Sequence, residues 1–227
     1  MTSIAANLQA VKSRIAAACA AAGRDVGSVA LLAVSKTWPA DAVAAAAACG
    51  HRDFGESYVQ EALVKLAALA ELKLEWHFIG PLQSNKTRPV AEHFAWVHSV
   101  DRLKLAERLA TQRPEGMAPL QVCIQVNVSG EASKSGCAPE QAEDLAVAVA
   151  RLPGLNLRGL MAIPEPSDDP TRVRSRFASL RQLRDRIAAQ GLPLDTLSMG
   201  MSDDLEAAVA EGATIVRVGT AIFGARN

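Results

Sequence analysis

Short apolar segments alternate with helical stretches along this whole sequence, and no other feature restricts its fold as strongly. About eight strand-like segments are present, each followed by a stretch with helical spacing. Strands that alternate with helices in this way pair as a parallel sheet. Eight such units within 227 residues predict a closed (β/α)₈ barrel, a TIM barrel, rather than an open doubly wound sheet. We therefore expect a single α/β domain over residues 1–227.

The chain begins with a helical stretch that has no strand before it. Ile4, Leu8, Val11 and Ile15 recur at spacings of four, three and four residues, which predicts an extra N-terminal helix over 3–22. The alanine run in this stretch favours a soluble helix over a signal peptide. The strands are predicted at 30–36, 53–56, 74–80, 96–100, 120–128, 157–163, 197–201 and 215–220.

The composition of the chain argues against several classes of binding partner and structural cross-link. Lys plus Arg equals Asp plus Glu, so the net charge is zero, and aromatic residues make up 4% of the chain. Neither nucleic acid nor an anionic membrane is therefore expected as a partner. The four cysteines form no CxxC pair, which predicts buried free thiols in a cytoplasmic protein rather than structural zinc or a disulfide framework.

The first predicted strand ends in a lysine. Residues 31–37 are Leu-Leu-Ala-Val-Ser-Lys-Thr, so Lys36 falls at the carboxyl end of an apolar run. Barrel enzymes carry their chemistry at that end of the strands. An amine that is partly desolvated there has a lowered pKa and acts as a Schiff-base nucleophile. The alternative is an ordinary surface lysine just past a strand end, and the spacing alone leaves both interpretations open.

The ends of the seventh and eighth predicted strands are candidates for a phosphate site. Arg217 and Gly219 are two residues apart, so they share one face of the last strand, and Thr220 adds a hydroxyl. Ser202 or Asp203 is predicted to begin a helix, whose first N–H groups would face an anion. A structural ion pair for Arg217 and ordinary capping by Asp203 remain as the alternatives.

The lysine, the phosphate site and the arginine together indicate pyridoxal 5′-phosphate. This cofactor requires a Schiff-base lysine, a site for its phosphate and a partner for its ring nitrogen. Six longer motifs then resemble one family, and they occur in the order AVSKT (33–37), FGESYVQE (54–61), WHFIGPLQSNK (76–86), SKSG (133–136), MGMS (199–202) and RVGT (217–220). By these motifs the chain resembles the pyridoxal phosphate homeostasis protein family, which is related to the barrel domain of alanine racemase.

The resemblance implies that Lys36 holds the cofactor as an aldimine. It implies phosphate contacts from Ser202, Gly219 and Thr220 and a ring-nitrogen contact from Arg217. The motifs add further candidate binding residues, which are His77, Asn85, Met201 and Lys134.

Three of the motif positions leave alternatives open. Outside its motif, His77 would be interpreted as a core histidine, and Lys134 could equally be a solvated loop residue. The family usually has Asn where this chain has Ser57, and a hydroxyl is too short to replace every contact of an amide.

The predicted contacts also limit the chemistry. Arginine remains protonated, so a ring nitrogen beside Arg217 would stay unprotonated and the ring would be a weak electron sink. Racemisation needs a second acid–base group, which in alanine racemase is a tyrosine supplied by a separate domain across a dimer. The single tyrosine here is Tyr58, in the helix after the second strand, and we expect no such second domain, since the last predicted strand lies just before Asn227.

We therefore expect a non-catalytic monomer that binds, stores and delivers pyridoxal phosphate, with apo-enzymes that use this cofactor as recipients. The first alternative is an amino-acid racemase that depends on pyridoxal phosphate. The second alternative, a Schiff-base aldolase, fits the Arg217–Thr220 segment but not the other motifs.

Overall fold

Eight parallel strands form the centre of the computed structural model, which describes residues 3–131 and 135–225. Each strand pairs with its neighbours in chain order, and the last pairs with the first, so the sheet closes into a barrel. The predicted (β/α)₈ barrel is confirmed. The strands are β1 (Ala30–Val34), β2 (Asp53–Glu56), β3 (Glu75–Phe78), β4 (Trp96–Val100), β5 (Leu120–Gln125), β6 (Leu155–Met161), β7 (Thr196–Ser198) and β8 (Ile215–Val218).

Helices cross from the end of each strand to the start of the next, as parallel pairing requires. The predicted extra N-terminal helix is confirmed, and Ser3 caps it by accepting a hydrogen bond from the N–H of Ala6. The helices are α1 (Ile4–Ala21), α2 (Ala40–Ala48), α3 (Val59–Ala68), α4 (Thr87–His93), α5 (Leu103–Gln112), α6 (Ala142–Val149), α7 (Pro170–Ala188), α8 (Leu205–Ala210) and α9 (Thr220–Phe223), with 3₁₀ turns at Val26–Ser28, Ala70–Leu72, Ser84–Lys86 and Pro139–Gln141.

Both faces of the strands are buried. In β1, Leu31 and Ala33 belong to the large core cluster shared with the helices, whereas Leu32 and Val34 belong to a second cluster. Alternate residues of a strand point to opposite faces, so the second cluster fills the barrel interior. This double burial explains why the strands are nearly continuous apolar runs in the sequence. The interior cluster consists of Leu32, Val34, Ile79, Trp96, Cys123, Met161 and Ile215.

Six strands are shorter at their carboxyl ends than predicted, namely those predicted to end at 36, 80, 128, 163, 201 and 220, which end at Val34, Phe78, Gln125, Met161, Ser198 and Val218. Two wrong boundaries, one of a strand and one of a helix, lie beside the candidate site. Strand β1 ends at Val34 rather than at Lys36, because Thr37 adopts a left-handed conformation (φ 68°) and turns the chain. Helix α8 begins at Leu205 rather than at Ser202 or Asp203. The Asp204 carboxylate accepts the N–H of Met201, and this local turn delays the start of the helix.

The cysteines follow the prediction at three positions. Cys19, Cys123 and Cys137 are buried and free, and burial raises the pKa of Cys123 to about 12. Cys49 is also free but exposed, so the prediction of a buried thiol is wrong there, because this residue is the C-cap of α2. In the ranges that the structure describes, no helix combines the length and the apolar character that crossing a bilayer would need.

Candidate functional site

A cavity of about 410 Å³ lies at the carboxyl ends of β1, β7 and β8. Its size is within the range of about 300–1,000 Å³ that is typical of small-molecule sites. Its apolar wall includes Val34 and Ile79, which belong to the interior cluster. The cavity brings together six of the candidate cofactor-binding residues, namely Lys36, Met201, Ser202, Arg217, Gly219 and Thr220.

Arg217 lines this cavity but is almost completely buried, with 3% of its surface exposed. Its guanidinium donates hydrogen bonds to Ser198 Oγ and to the carbonyl oxygen of Ala162, both at 2.8 Å. Within the described residues it forms no ion pair, so the structural ion pair considered above is absent there. Burial lowers the pKa of Arg217 to about 10, which leaves it protonated at neutral pH.

A chain of hydrogen bonds runs from Arg217 through the barrel interior. Ser198 Oγ lies 2.7 Å from His98 Nδ1, and His98 Nε2 lies 2.9 Å from His77 Nδ1. Burial, together with the nearby His77 and Arg217, holds the pKa of His98 well below its usual value. A neutral His98 can therefore donate through one ring nitrogen and accept through the other, which keeps the chain continuous.

The backbone after β8 approaches β1 closely. A Cβ atom at Gly219 would lie 3.0 Å from the carbonyl oxygen of Val34, so a larger residue would press on the strand that leads to Lys36. Gly219 is the N-cap of α9, and Thr220 and Ala221 are its first two residues. Their N–H groups have no acceptor within the helix, and all three residues line the cavity.

Helix α1 holds the two loops that form this side of the cavity. Arg14 donates to the carbonyl oxygen of Ser202 at 3.0 Å and forms an ion pair with Glu206. Asn7 donates to the carbonyl oxygen of Ile222 in α9 at 2.9 Å. Arg14 also lines the cavity, where it is the third basic side chain besides Lys36 and Arg217 in the described lining. The extra N-terminal helix is therefore part of the site.

The turn that carries Lys36 rests on a buried ion-pair network. Lys65, which is 4% exposed, donates to the carbonyl oxygen of Ser35 at 2.7 Å and to the carboxylates of Glu56 and Glu61. Glu61 in turn accepts the N–H of Thr37, and Glu56 accepts the hydroxyl of Ser35. The residues on both sides of Lys36 are thus fixed by the same three charged groups.

Lys65 provides the positive charge that compensates the buried carboxylate of Glu56 in this network. Burial raises the pKa of Glu56, and hydrogen bonds from Lys65 and Ser35 oppose that rise. The carboxylate of Glu56 has no exposed surface, and its second oxygen lacks a hydrogen-bond partner among the described residues. An ionised Glu56 is therefore stabilised chiefly by the ammonium group of Lys65.

Other candidates from the sequence lie away from the cavity. His77 is buried in the barrel interior and contacts His98, and Asn85 is exposed on the 3₁₀ turn Ser84–Lys86. Lys134 lies outside the described residues. Ser57 does line the cavity, whereas Tyr58, 56% exposed, is absent from the described lining.

Sequence reasoning missed Arg14 and the Lys65 network. Arg14 lies between Val11 and Ile15 of the apolar stripe of α1, and a basic residue in a helix is ordinarily interpreted as a solvated side chain. Lys65 occurs in a helical stretch four residues after Glu61, a spacing typical of exposed pairs. The available signal was the acidic pair Glu56 and Glu61 inside one motif, which needs a buried cation if one of the acids is in the core.

The chain is similar to several known proteins. A family model described as the N-terminal domain of alanine racemase matches residues 6–227. The pyridoxal phosphate homeostasis protein of Pseudomonas aeruginosa is 65% identical over 227 residues, which cover 100% of this chain and 97% of that protein.

Two solved structures extend the comparison. PipY of Synechococcus elongatus PCC7942, with pyridoxal phosphate bound, is 40% identical and has a TM-score of 0.86 over 97% of this chain and 100% of PipY. The alanine racemase of Corynebacterium glutamicum, at 18% identity, has a TM-score of 0.70 over 98% of this chain and 61% of the racemase. The latter likeness shows the fold alone.

The network below Lys36 predicts a specific pattern of stability changes. Lys65→Met leaves Glu56 buried without its counter-charge, so we expect the free energy of unfolding to fall by about 3–5 kcal/mol. The double variant Glu56→Gln/Lys65→Met removes the buried charge as well and should lose less than Lys65→Met alone. Lys104→Met, at an exposed position of α5, should change the free energy by less than about 0.5 kcal/mol. Urea unfolding measures all three, and a double variant less stable than Lys65→Met would contradict the account.

Proposed function

The chain belongs to the family of pyridoxal phosphate homeostasis proteins, and from this premise we propose that it binds pyridoxal 5′-phosphate in the cavity at the carboxyl end of the barrel. The observation that carries the proposal is the buried Arg217, which faces the same cavity as Lys36 and has only neutral hydrogen-bond partners among the described residues. A buried guanidinium without a counter-charge is costly unless a further acceptor completes its hydrogen bonds. A pyridine nitrogen is such an acceptor.

The residues present fit each part of the cofactor. The phosphate would be bound by the first N–H groups of α9, by the hydroxyls of Ser202 and Thr220 and by the charge of Arg14. Val34 and Ile79 offer an apolar surface for the ring. Arg217 would donate to the ring nitrogen. PipY, whose solved structure contains pyridoxal phosphate, supports the proposal as a relative with 40% identity.

Lys36 is proposed to attach the cofactor covalently. Its amine condenses with the cofactor aldehyde, forming a carbon–nitrogen double bond with loss of one water molecule. Lys36 is half-buried and lines the cavity, where its amine can reach an aldehyde as a Schiff-base nucleophile. The hydrogen bonds to Ser35 and Thr37 hold the backbone on both sides of Lys36 beside the cavity.

Storage rather than turnover fits the groups around the cavity. Bound cofactor would supply an electron-withdrawing ring, but Arg217 stays protonated at a pKa of about 10 and holds the ring nitrogen unprotonated. The described lining offers no tyrosine opposite Lys36, since Tyr58 lies elsewhere and is largely exposed. We therefore propose a cytoplasmic, monomeric carrier that releases the cofactor to apo-enzymes.

Racemisation is the second candidate, favoured by the match to the alanine racemase domain model.

Borohydride reduction tests the proposed attachment. The purified protein should be yellow, lose that absorbance on reduction and carry one cofactor-sized adduct on Lys36 by mass spectrometry. Lys36→Ala should abolish both signals, and the matched variant Lys104→Ala should retain them, because Lys104 is an exposed residue of α5. A colourless protein, or an adduct on Lys86 or Lys134, would contradict the assignment.

Amino-acid racemisation separates the two candidate functions. We expect the protein loaded with cofactor to form D-alanine from L-alanine no faster than the same concentration of free pyridoxal phosphate, because no second acid–base group faces Lys36 in the described lining. Chiral chromatography of timed samples measures the rate. A rate about a hundredfold or more above free cofactor, lost in Lys36→Ala, would establish the racemase instead.

Cofactor transfer tests the proposed delivery. The loaded protein is mixed with an apo-enzyme that requires pyridoxal phosphate, in the presence of a phosphatase that destroys free cofactor. Reactivation of the enzyme should proceed with the loaded protein but fail with an equal amount of free cofactor. Reactivation that the phosphatase suppresses equally in both samples would show simple release rather than delivery.

A further inference from the structure

Three side chains with metal-binding atoms meet at the end of the barrel opposite the cavity. Asp53 and Glu75 are the first residues of β2 and β3 and are paired in register. His77 lies two residues after Glu75, so the two side chains share one face of β3. One carboxylate oxygen from each acid and one imidazole nitrogen all lie within 4.8 Å of one another.

The imidazole of His77 has an unsatisfied atom that faces the two acids. The side chain is 5% exposed, and its Nε2 has no hydrogen-bond partner among the described residues. This nitrogen is 3.6 Å from Glu75 Oε1 and 3.9 Å from Asp53 Oδ1, and both separations are too long for hydrogen bonds. Leaving such an atom buried without a partner costs about 1–3 kcal/mol.

These separations match the spacing of ligands around a small cation. Zinc binds nitrogen and oxygen at about 2.0–2.2 Å, which places two ligands of a tetrahedral site about 3.4 Å apart. The Glu75–His77 separation is close to that value as it stands. Asp53 needs only a small side-chain movement, which is available because 43% of its side chain is exposed.

The surroundings of the three residues also suit a metal site. A histidine that binds a metal through one ring nitrogen ordinarily donates a hydrogen bond through the other. His77 Nδ1 lies 2.9 Å from His98 Nε2, which accepts that hydrogen bond when His98 carries its proton on Nδ1. Glu75 Oε1 accepts a hydrogen bond from Trp96 Nε1 at 2.8 Å, which fixes the orientation of that carboxylate.

We propose that Asp53, Glu75 and His77 bind a divalent cation of the zinc type at the amino end of the barrel. Water completes the coordination on the solvent side. The imidazole ligand favours zinc and related transition metals over magnesium and calcium, which prefer oxygen ligands. The two carboxylates balance the charge of the cation. The site shares no residue with the lining of the cofactor cavity, so a test of zinc binding is separate from a test of the proposed function.

Calorimetric titration of the tag-free full chain with Zn²⁺ tests this site. After treatment with a chelator, the protein should bind one zinc ion, and Asp53→Asn and Glu75→Gln should each weaken binding at least about tenfold. Glu71→Gln is the matched control, because it makes the same change at an exposed residue four positions earlier. All variants should keep the circular dichroism spectrum and the urea unfolding midpoint of the unmodified protein, which shows that they are folded.

A nuclear magnetic resonance spectrum of ¹⁵N-histidine protein identifies the nitrogen ligand without a variant at the buried His77. Zinc should shift the Nε2 resonance of one histidine in the unmodified protein and in Glu71→Gln, but not in Glu75→Gln at the same zinc concentration. Absence of one-to-one binding, binding that survives both Asp53→Asn and Glu75→Gln, or binding without a histidine shift would each overturn the proposal.

Discussion

A guanidinium buried inside the barrel, that of Arg217, depends on neutral oxygen atoms for its hydrogen bonds in the described part of the chain. Moving an ion out of water costs several kcal/mol even after relaxation, so its position must be supported by precise contacts. Ser198 and the backbone of Ala162 accept two of its hydrogen bonds. A hydrogen bond with His98 fixes the orientation of the Ser198 hydroxyl. The positively charged guanidinium of Arg217 therefore lies at the inner wall of the cavity, where its N–H groups can donate to a ligand.

The rest of the site is assembled around that cation from distant parts of the chain. Helix α1 contributes Arg14 and Asn7, which hold the loops after β7 and β8. Lys65 in α3 fixes the turn after β1 through Glu56 and Glu61. A cofactor attached at Lys36 would therefore meet loops that are already in place, so little binding energy would be lost in ordering them.

The sequence predicted the barrel and the meeting of Lys36 and Arg217 in one cavity because both follow from strand ends. The alternation of strands and helices fixed the barrel, and the barrel fixed which end of β1 and β8 carries chemistry, so Lys36 and Arg217 were found together. Arg14 and Lys65 lie on helices and support the site from there. Their spacing in the sequence is the same as that of solvated charged residues, so nothing in the sequence favoured selecting them. His77 was assigned to the cofactor region by its motif, but its strand position directs it into the barrel toward Glu75.

The central claim is that Lys36 and Arg217 hold the two ends of one cofactor ring, and a crystal structure of the full chain grown with pyridoxal phosphate tests it most directly. We predict continuous electron density from Lys36 Nζ into the cofactor, the phosphate against Gly219 and Thr220, and the ring nitrogen about 3 Å from the Arg217 guanidinium. Density joined to another lysine, or a ring nitrogen that faces away from Arg217, would contradict the account.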